Sequence, residues 1–264
     1  MSYFNNRTNI LPPNIPHIQN QYNIIGLACI LLLKAYKSIF LLKPRCKDVL
    51  EHMVNIGFNT LPMVILMTTF SGMILALETA DWLSTYGSRE AVGMLVAVSS
   101  IMEISPIFVS FAIAAQAGTA ITAELAYMQI SEQISALRLF KTNPVTYLIS
   151  TRILAALYIL PLIIIIGAFC STMGGMIVAK INANIEFSIF LDSAWRAMKV
   201  KDIFNSIIKG IFFANYIVIV HTSFGLSTRG GAREVGEVTS TSTLWVTVGI
   251  ICINAILDYF MYID

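Results

Sequence analysis

The sequence predicts an all-α integral membrane protein with about five transmembrane helices, an N-terminal interfacial helix and one further polar helix. Of its 264 residues, 56% are hydrophobic and only 12% are charged, whereas soluble domains carry about a quarter charged residues. Several apolar runs are long enough to cross a bilayer, which takes about 20 residues. A polar, helix-forming insert at residues 121–147 separates two of these runs.

The apolar runs set the predicted spans. Because a backbone in lipid must satisfy its own hydrogen bonds, each span is expected to be a helix. The fourth span requires that Lys209 and His221 be tolerated within it. The spans are predicted at residues 57–77, 91–120, 153–179, 203–225 and 238–259. Residues 21–264 are treated as one domain.

The N-terminal region differs from the rest. Residues 1–20 are rich in Asn and Pro, with no signal peptide, and are predicted to be a disordered tail. Residues 21–42 are apolar but interrupted by Lys34 and Lys37, so their uncharged part is only about 12 residues long. This length favours an interfacial helix in the headgroup plane. A sixth spanning helix is the alternative.

Basic residues predict the orientation. Eleven of the 17 Lys and Arg residues fall in segments 1–56, 124–152 and 229–237, five fall in the loops on the other side, and Lys209 lies within a predicted span. The positive-inside rule then places the N-terminus in the cytoplasm. The net charge of +2 is too small to indicate a nucleic-acid partner.

The sequence of the insert indicates two short helices. A simple link between two spans would not need so long a helix-forming segment. Ser131 is placed to cap the second helix, with Glu132 at its positive end and Arg138 near its negative end. Each of the two predicted helices has an apolar face, formed by Ile121, Leu125 and Met128 in the first and by Ile134 and Leu137 in the second. A docking surface for a soluble partner explains this pattern better than a solvated loop.

Two charged residues lie deep in the predicted spans. Glu103 and Lys209 are roughly 18 Å and roughly 9 Å below the outer interface at 1.5 Å per residue. A charge at that depth must be paired or face water, so both are candidate functional residues. They could pair beside an internal cavity or form a structural salt bridge. Pro106 is expected to bend the helix of Glu103 and free a carbonyl group.

Other catalytic or cofactor sites are not indicated. The four cysteines show no CxxC or metal-binding spacing and are read as small buried hydrophobic residues. The glycine-rich stretch at residues 225–236 lacks the GxxxxGK[ST] spacing of a phosphate loop. The chain is therefore not expected to be an enzyme, to bind a metal or to hydrolyse ATP.

Several motifs together resemble the MlaE-type permease family, the membrane subunits of MCE-associated ABC transporters. The motifs are Ala123-Glu124-Leu125, Met128, Ser131-Glu132-Gln133-Ile134, Ala136-Leu137, Asn143-Pro144, Tyr147-Leu148, Arg152, Lys209-Gly210, Gly230 to Gly236 and Leu257-Asp258-Tyr259. The chain departs from the family pattern at Gln116, Ser135 and Thr151.

The resemblance implies an assembly. Two permease copies would form the membrane core in a bacterial cytoplasmic membrane, and ATPase subunits carrying ATP and Mg would bind a cytoplasmic coupling helix. An MCE-domain protein would lie on the outer side, and the cargo would be phospholipids or other lipids moving between envelope membranes. The implied coupling residues are Glu124, Glu132, Gln133, Ile134, Leu137 and Arg138. The implied lipid cavity adjoins Glu103, Lys209 and Pro106.

Two other classes of function remain open from the residues. A stand-alone channel or secondary carrier would transport without nucleotide. A membrane-embedded lipid enzyme would need converging catalytic groups, for which only Glu103 and His221 are candidates. The residues do not select one lipid over another.

Overall fold

The computed structural model describes residues 21–42, 45–140 and 144–262. All regular elements in these residues are helices. Five helical stretches among them are long and apolar enough to cross a membrane: Cys46–Thr85, Val92–Ile130, Val145–Ala183, Val200–Ser227 and Ala232–Met261. The predicted all-α membrane fold with five spans is confirmed. The expected N-terminal tail, residues 1–20, lies outside the described part.

The spans are built from several helical segments. The α-helices are α1 Gln21–Leu42, α2 Cys46–Ile56, α3 Leu61–Thr85, α4 Val92–Ser99, α5 Ser105–Ile113, α6 Thr119–Ile130, α7 Gln133–Leu139, α8 Thr151–Ala183, α9 Phe187–Ala197, α10 Val200–Ser227 and α11 Ala232–Tyr262. Short 3₁₀ turns lie at Phe58–Thr60 and Arg89–Ala91. Three π-helical segments lie at Ser100–Ile104, Ala114–Gly118 and Val145–Ser150.

Each spanning helix is longer than its predicted apolar run. Hydropathy locates the part of a helix that suits hydrocarbon, whereas hydrogen bonding continues the helix into the headgroup region. The third span, for example, ends at Ala183 because Asn184 takes a left-handed conformation with φ 51°. The helix predicted at 21–42 is present as α1. Its interfacial position stays a prediction.

The insert differs from the prediction in two ways. Its first helix is not separate, because α6 continues the second span without a break to Ile130. Its second helix is present as α7, but Ser131 does not cap it. The Ser131 hydroxyl instead donates to the Tyr127 carbonyl oxygen at 2.8 Å, and Glu132, with φ 57°, turns the chain between the two helices.

The third span lies at the centre of the bundle. Its helix α8 packs along α3 on one side and α10 on the other, and α10 also contacts α6 and α11. Small residues permit the close approach of α3 and α8: Gly72 lies directly against the backbone of Ser171. The hydroxyl groups of Ser100 and Ser171 are 2.8 Å apart, which adds a polar contact to the second span. Helix packing in lipid depends on such small residues and interhelical hydrogen bonds.

Substitution of Gly72 tests this packing. In Gly72→Ala the added Cβ would overlap the Ser171 carbonyl group, so we expect a loss of about 1–3 kcal/mol in the free energy of unfolding. Thermal unfolding in detergent, followed by circular dichroism, measures the change. Gly236→Ala is the control, because nothing lies within 4 Å of its added Cβ. Equal melting temperatures for the two variants would contradict the close approach.

Candidate functional site

The second span is irregular next to Glu103. Residues Ser100–Ile104 form a π-helix, and the backbone N–H of Ser105 donates to the Ser100 carbonyl oxygen. Pro106 has no N–H, so it cannot donate to the carbonyl of Met102, four residues earlier. The Met102 carbonyl oxygen accepts a hydrogen bond of 2.7 Å from the Lys209 ammonium group instead. A cation from the fourth span thus contacts the carbonyl that Pro106 leaves without its α-helical donor.

The Lys209 ammonium group also pairs with two carboxylates. Its Nζ is 2.6 Å from Glu103 Oε1 and 2.5 Å from Asp258 Oδ1. The Lys209 side chain is fully buried, whereas the Glu103 and Asp258 side chains are 40% and 26% exposed. The structure therefore brings the two charged residues singled out from the sequence into direct contact.

Asn254 completes this group of four residues, which we call the polar cluster: Glu103, Lys209, Asn254 and Asp258. The Asn254 amide nitrogen donates to Glu103 Oε2 and to Asp258 Oδ2, both at 2.7 Å. Sequence analysis missed Asn254 and included Asp258 only as part of a motif. The available signal was the spacing of one helical turn between these two polar residues near the end of the last apolar run.

Helix boundaries explain how Glu103 and Lys209 meet. The sequence placed them at different depths because it began the fourth span at residue 203. That helix begins at Val200, so Lys209 lies roughly 14 Å along it, and Glu103 lies roughly 16 Å along the second span from Val92. The two residues are therefore at similar distances from the starts of their helices.

The polar cluster has a defined chemical character. An ammonium group buried in lipid costs several kcal/mol unless it is paired, and here two carboxylates and a carbonyl oxygen surround it. The cation is enclosed, while the carboxylate side chains reach the surface of the chain. The cluster can therefore offer oxygen acceptors to a polar group that enters beside these spans.

A second ion pair lies at the opposite ends of the spans. Arg152 Nη2 is 2.7 Å from Glu124 Oε2, and Arg152 Nη1 donates to the Leu148 carbonyl oxygen at 2.7 Å. The Arg152 side chain is almost completely buried, whereas that of Glu124 is 55% exposed. The pair joins the end of the second span to the start of the third. Sequence analysis placed Glu124 among the coupling residues and included Arg152 only in a motif.

The expected coupling residues in and next to α7 differ in burial. Ile134 is buried and Leu137 is half-buried, and both pack against the main apolar core, so they attach α7 to the bundle. Glu132 and Gln133 are exposed. The side chain of Arg138 and residues 141–143 lie outside the described part. Sequence analysis missed two large apolar side chains at the end of α7, Leu139 and Phe140, which are 84% and 80% exposed.

A buried polar contact joins three spans near Glu124. The Nδ1 atom of His221 is 2.8 Å from the Thr122 hydroxyl and 3.1 Å from the Ser242 hydroxyl. The imidazole ring packs directly against Gly118. His221 is therefore a hydrogen-bonded residue within its helix. This contact fixes the second span to the fourth and fifth.

Removing the cation from the polar cluster should destabilise the protein. In Lys209→Met two carboxylates remain together without their counter-ion, and we expect a loss of about 3 kcal/mol in the free energy of unfolding. The double variant Lys209→Met/Glu103→Gln should recover part of this loss. Chemical unfolding in detergent measures both. Arg233→Gln, which breaks an exposed pair with Glu237, is the control. A double variant no more stable than the single one would contradict the coupling.

The Arg152–Glu124 pair should respond asymmetrically. Glu124→Gln leaves a buried guanidinium without its counter-ion and should cost about 3 kcal/mol of unfolding free energy. Arg152→Gln leaves a carboxylate that is half in water, so about 1 kcal/mol is expected. Melting temperatures of the two purified variants test this order. The reverse order would show that the burial of Arg152 does not determine the energetics.

Comparisons with known proteins identify the family. A family model described as Permease MlaE matches residues 49–260. A protein of Synechocystis sp. named "Probable ABC transporter permease protein" is 29% identical over 216 residues, which cover 82% of each chain. A protein of Rickettsia typhi with the same description is 28% identical over 81% of this chain and 83% of its own.

A plant protein is also similar. Protein TRIGALACTOSYLDIACYLGLYCEROL 1, chloroplastic, of Arabidopsis thaliana is 31% identical over 219 residues, which cover 82% of this chain and 62% of that protein. Because the family match extends over most of the chain, this protein belongs to the MlaE permease family and is a membrane subunit of an ABC transporter.

Proposed function

We propose that this permease is the membrane subunit of an ATP-driven transporter that moves phospholipids between envelope membranes. Two copies form the membrane core in a bacterial cytoplasmic membrane, with the N-terminus in the cytoplasm. ATP and Mg are bound by a separate cytoplasmic ATPase. An MCE-domain protein on the outer side exchanges lipid with the permease.

The placement of α7 is the observation that carries this proposal. The helix is attached to the bundle through buried Ile134, yet Leu139 at its end and the following Phe140 are 84% and 80% exposed. Large apolar side chains that are almost fully exposed indicate a surface for another protein when they lie together. In a subunit of an ABC transporter, the partner for a helix between two spans on the cytoplasmic side is the ATPase.

The orientation is supported by charge. Residues 124–152 and 229–237 connect spans on the side to which the positive-inside rule assigns the cytoplasm. With five spans, α9 and the C-terminal turns of α11 lie toward the opposite side. The ATPase surface and the polar cluster are thus assigned to opposite halves of the membrane.

A lipid cargo is supported by chemistry and by similarity. The polar cluster offers carboxylate oxygens within an apolar bundle, which suits an amphiphile with a polar head and hydrocarbon tails. The name of the Arabidopsis relative refers to a galactose-bearing diacylglycerol, which is a membrane lipid. Phospholipids belong to the same general class of membrane lipids, and we propose them as the cargo.

The proposed mechanism uses the continuity of the second span. Closure of the ATPase subunits on ATP displaces α7 and, through the turn at Glu132, the end of α6. The helical stretch Val92–Ile130 contains both α6 and Glu103. A displacement of α6 therefore alters the polar cluster and changes the access of a lipid head to it.

The alternatives predict different behaviour. A stand-alone channel or carrier would move its substrate without nucleotide, and a lipid enzyme would change the chemical structure of added lipids. The proposed transporter does neither. It requires both the ATPase and ATP, and it releases the lipid unchanged.

Substitution of the exposed end of α7 tests the proposal. In Leu139→Asp/Phe140→Asp, charges replace the apolar contact surface, and we expect at least about a tenfold loss of ATPase association. Co-purification of the ATPase with tagged permease measures association. ATP-dependent transfer of labelled phospholipid from proteoliposomes to an MCE-domain acceptor measures transport.

The control replaces an equally exposed aromatic residue on α9. Trp195→Ser, at 79% exposure, should leave ATPase association unchanged. Melting temperatures establish that the double variant is folded. Full ATPase association by the folded double variant would overturn the proposed docking surface, and lipid transfer by wild-type permease without nucleotide would overturn the ATP-driven function.

A further inference from the structure

The π-helical segment Val145–Ser150 is bonded to α1. The hydroxyl groups of Ser38 and Thr146 are 2.6 Å apart. The Ser150 hydroxyl donates to the Ala35 carbonyl oxygen at 3.2 Å. Ser38, Ala35 and Ser150 are buried and Thr146 is half-buried, so water has limited access to these bonds. Two side chains one turn apart thus attach the N-terminal helix to the start of the third span.

The same segment is bonded to the second span through Arg152. One arm of the guanidinium group binds the Leu148 carbonyl oxygen inside the π-helix, and the other binds Glu124 at the end of α6. A planar guanidinium holds two acceptors in a fixed geometry, which a lysine cannot do. A single side chain therefore sets the position of the π-helical segment relative to the second span.

Helix α1 extends these connections toward the fourth span. The Tyr36 hydroxyl donates to Asn215 Oδ1 at 2.6 Å. Side chains of α1 also form one wall of an apolar groove of about 680 Å³, which the fourth and fifth spans complete. A displacement of α1 therefore changes both its contact with the fourth span and the width of this groove.

We propose that Val145–Ser150 and Arg152 form a transmission junction that passes the displacement of α6 and α7 to α1 and the third span. The inference rests on the proposed function, because the displacement originates in the ATPase. Arg152 is the positioning residue of the junction. It keeps the end of the second span in register with the π-helical segment while α1, bonded at Ser38 and Ala35, moves with that segment.

The geometry favours a π-helical segment in this role. The π-helix is rare and occurs mostly as short segments, often at functional sites. In Val145–Ser150, the Leu148 carbonyl is held by Arg152 rather than left to the helix alone. Loss of Arg152 would let α6 move without carrying the segment along.

The first experiment measures coupling rather than activity alone. Arg152→Gln permease is reconstituted with its ATPase, and the ratio of lipid transferred to ATP hydrolysed is determined. We expect ATPase association to persist and the ratio to fall by about tenfold, within the range that loss of a coupling contact produces. Arg152→Lys should be intermediate, because it retains the charge but lacks the rigid planar fork that holds the two acceptors in one geometry.

Arg196→Gln is the matched control, since Arg196 forms a comparable ion pair with Asp192 in an exposed position. Its transfer ratio should equal that of wild type. A ratio for Arg152→Gln within about twofold of wild type would overturn the junction. If wild-type permease shows no ATPase association or lipid transfer, the proposed function fails instead, so the two failures are distinguishable.

A cross-link tests the junction without removing Arg152. Cysteines at positions 29, 46, 170 and 252 are first replaced by serine, and Ser38→Cys/Thr146→Cys is then oxidised to tie α1 to the segment. Because the two are inferred to move together, transport should persist with the bond closed. Loss of transport on oxidation and its recovery with reductant would show that α1 moves separately, and would overturn the inference.

Discussion

The structure depends on the neutralisation of one buried cation. Lys209 lies inside the bundle, where an unpaired ammonium group is not tolerated. Three groups in the described part of the chain converge on it and neutralise it: the Met102 carbonyl oxygen, Glu103 and Asp258. These groups come from the second and fifth spans. The requirement to neutralise Lys209 therefore fixes how three of the five spans meet.

In the other half of the bundle, buried polar side chains are paired by a different set of residues. There Arg152 pairs with Glu124, and His221 shares hydrogen bonds with Thr122 and Ser242. The second span supplies a partner to both groups through Thr122 and Glu124. Since it also supplies Glu103 to the polar cluster, this one helical stretch contacts polar centres in both halves. Between them the helices pack closely through small residues, as at Gly72 and Ser171.

These contacts give the proposed transport a physical route. The helix α7 follows the second span after a turn of two residues, and the π-helical segment at the start of the third span is bonded to α1 and, through Arg152, to the second span. A force applied at α7 is therefore distributed among buried polar contacts, which break less readily than exposed ion pairs.

Much of the fold could be predicted from the sequence because membrane spans are governed by local rules. Hydrocarbon excludes charge and demands internal hydrogen bonds, so the five apolar runs and the helix at 133–139 are visible without any tertiary contact. The residues at which the spanning helices begin and end were harder to predict from the sequence. Polar residues such as those around Lys199 and Glu124 continue a helix beyond the hydrocarbon, and hydropathy does not record this.

The amino-acid sequence by itself determined the class of the protein, the number of spans and the candidacy of Glu103 and Lys209, because a charge within an apolar run stands out locally. Only the tertiary structure decided the partners of these charges. Asn254, Asp258 and Arg152 acquire their importance from neighbours more than twenty residues away in the chain, and the outward direction of Leu139 and Phe140 depends on which face of α7 the core covers. Pairing across helices is a property of packing, and no local pattern encodes it.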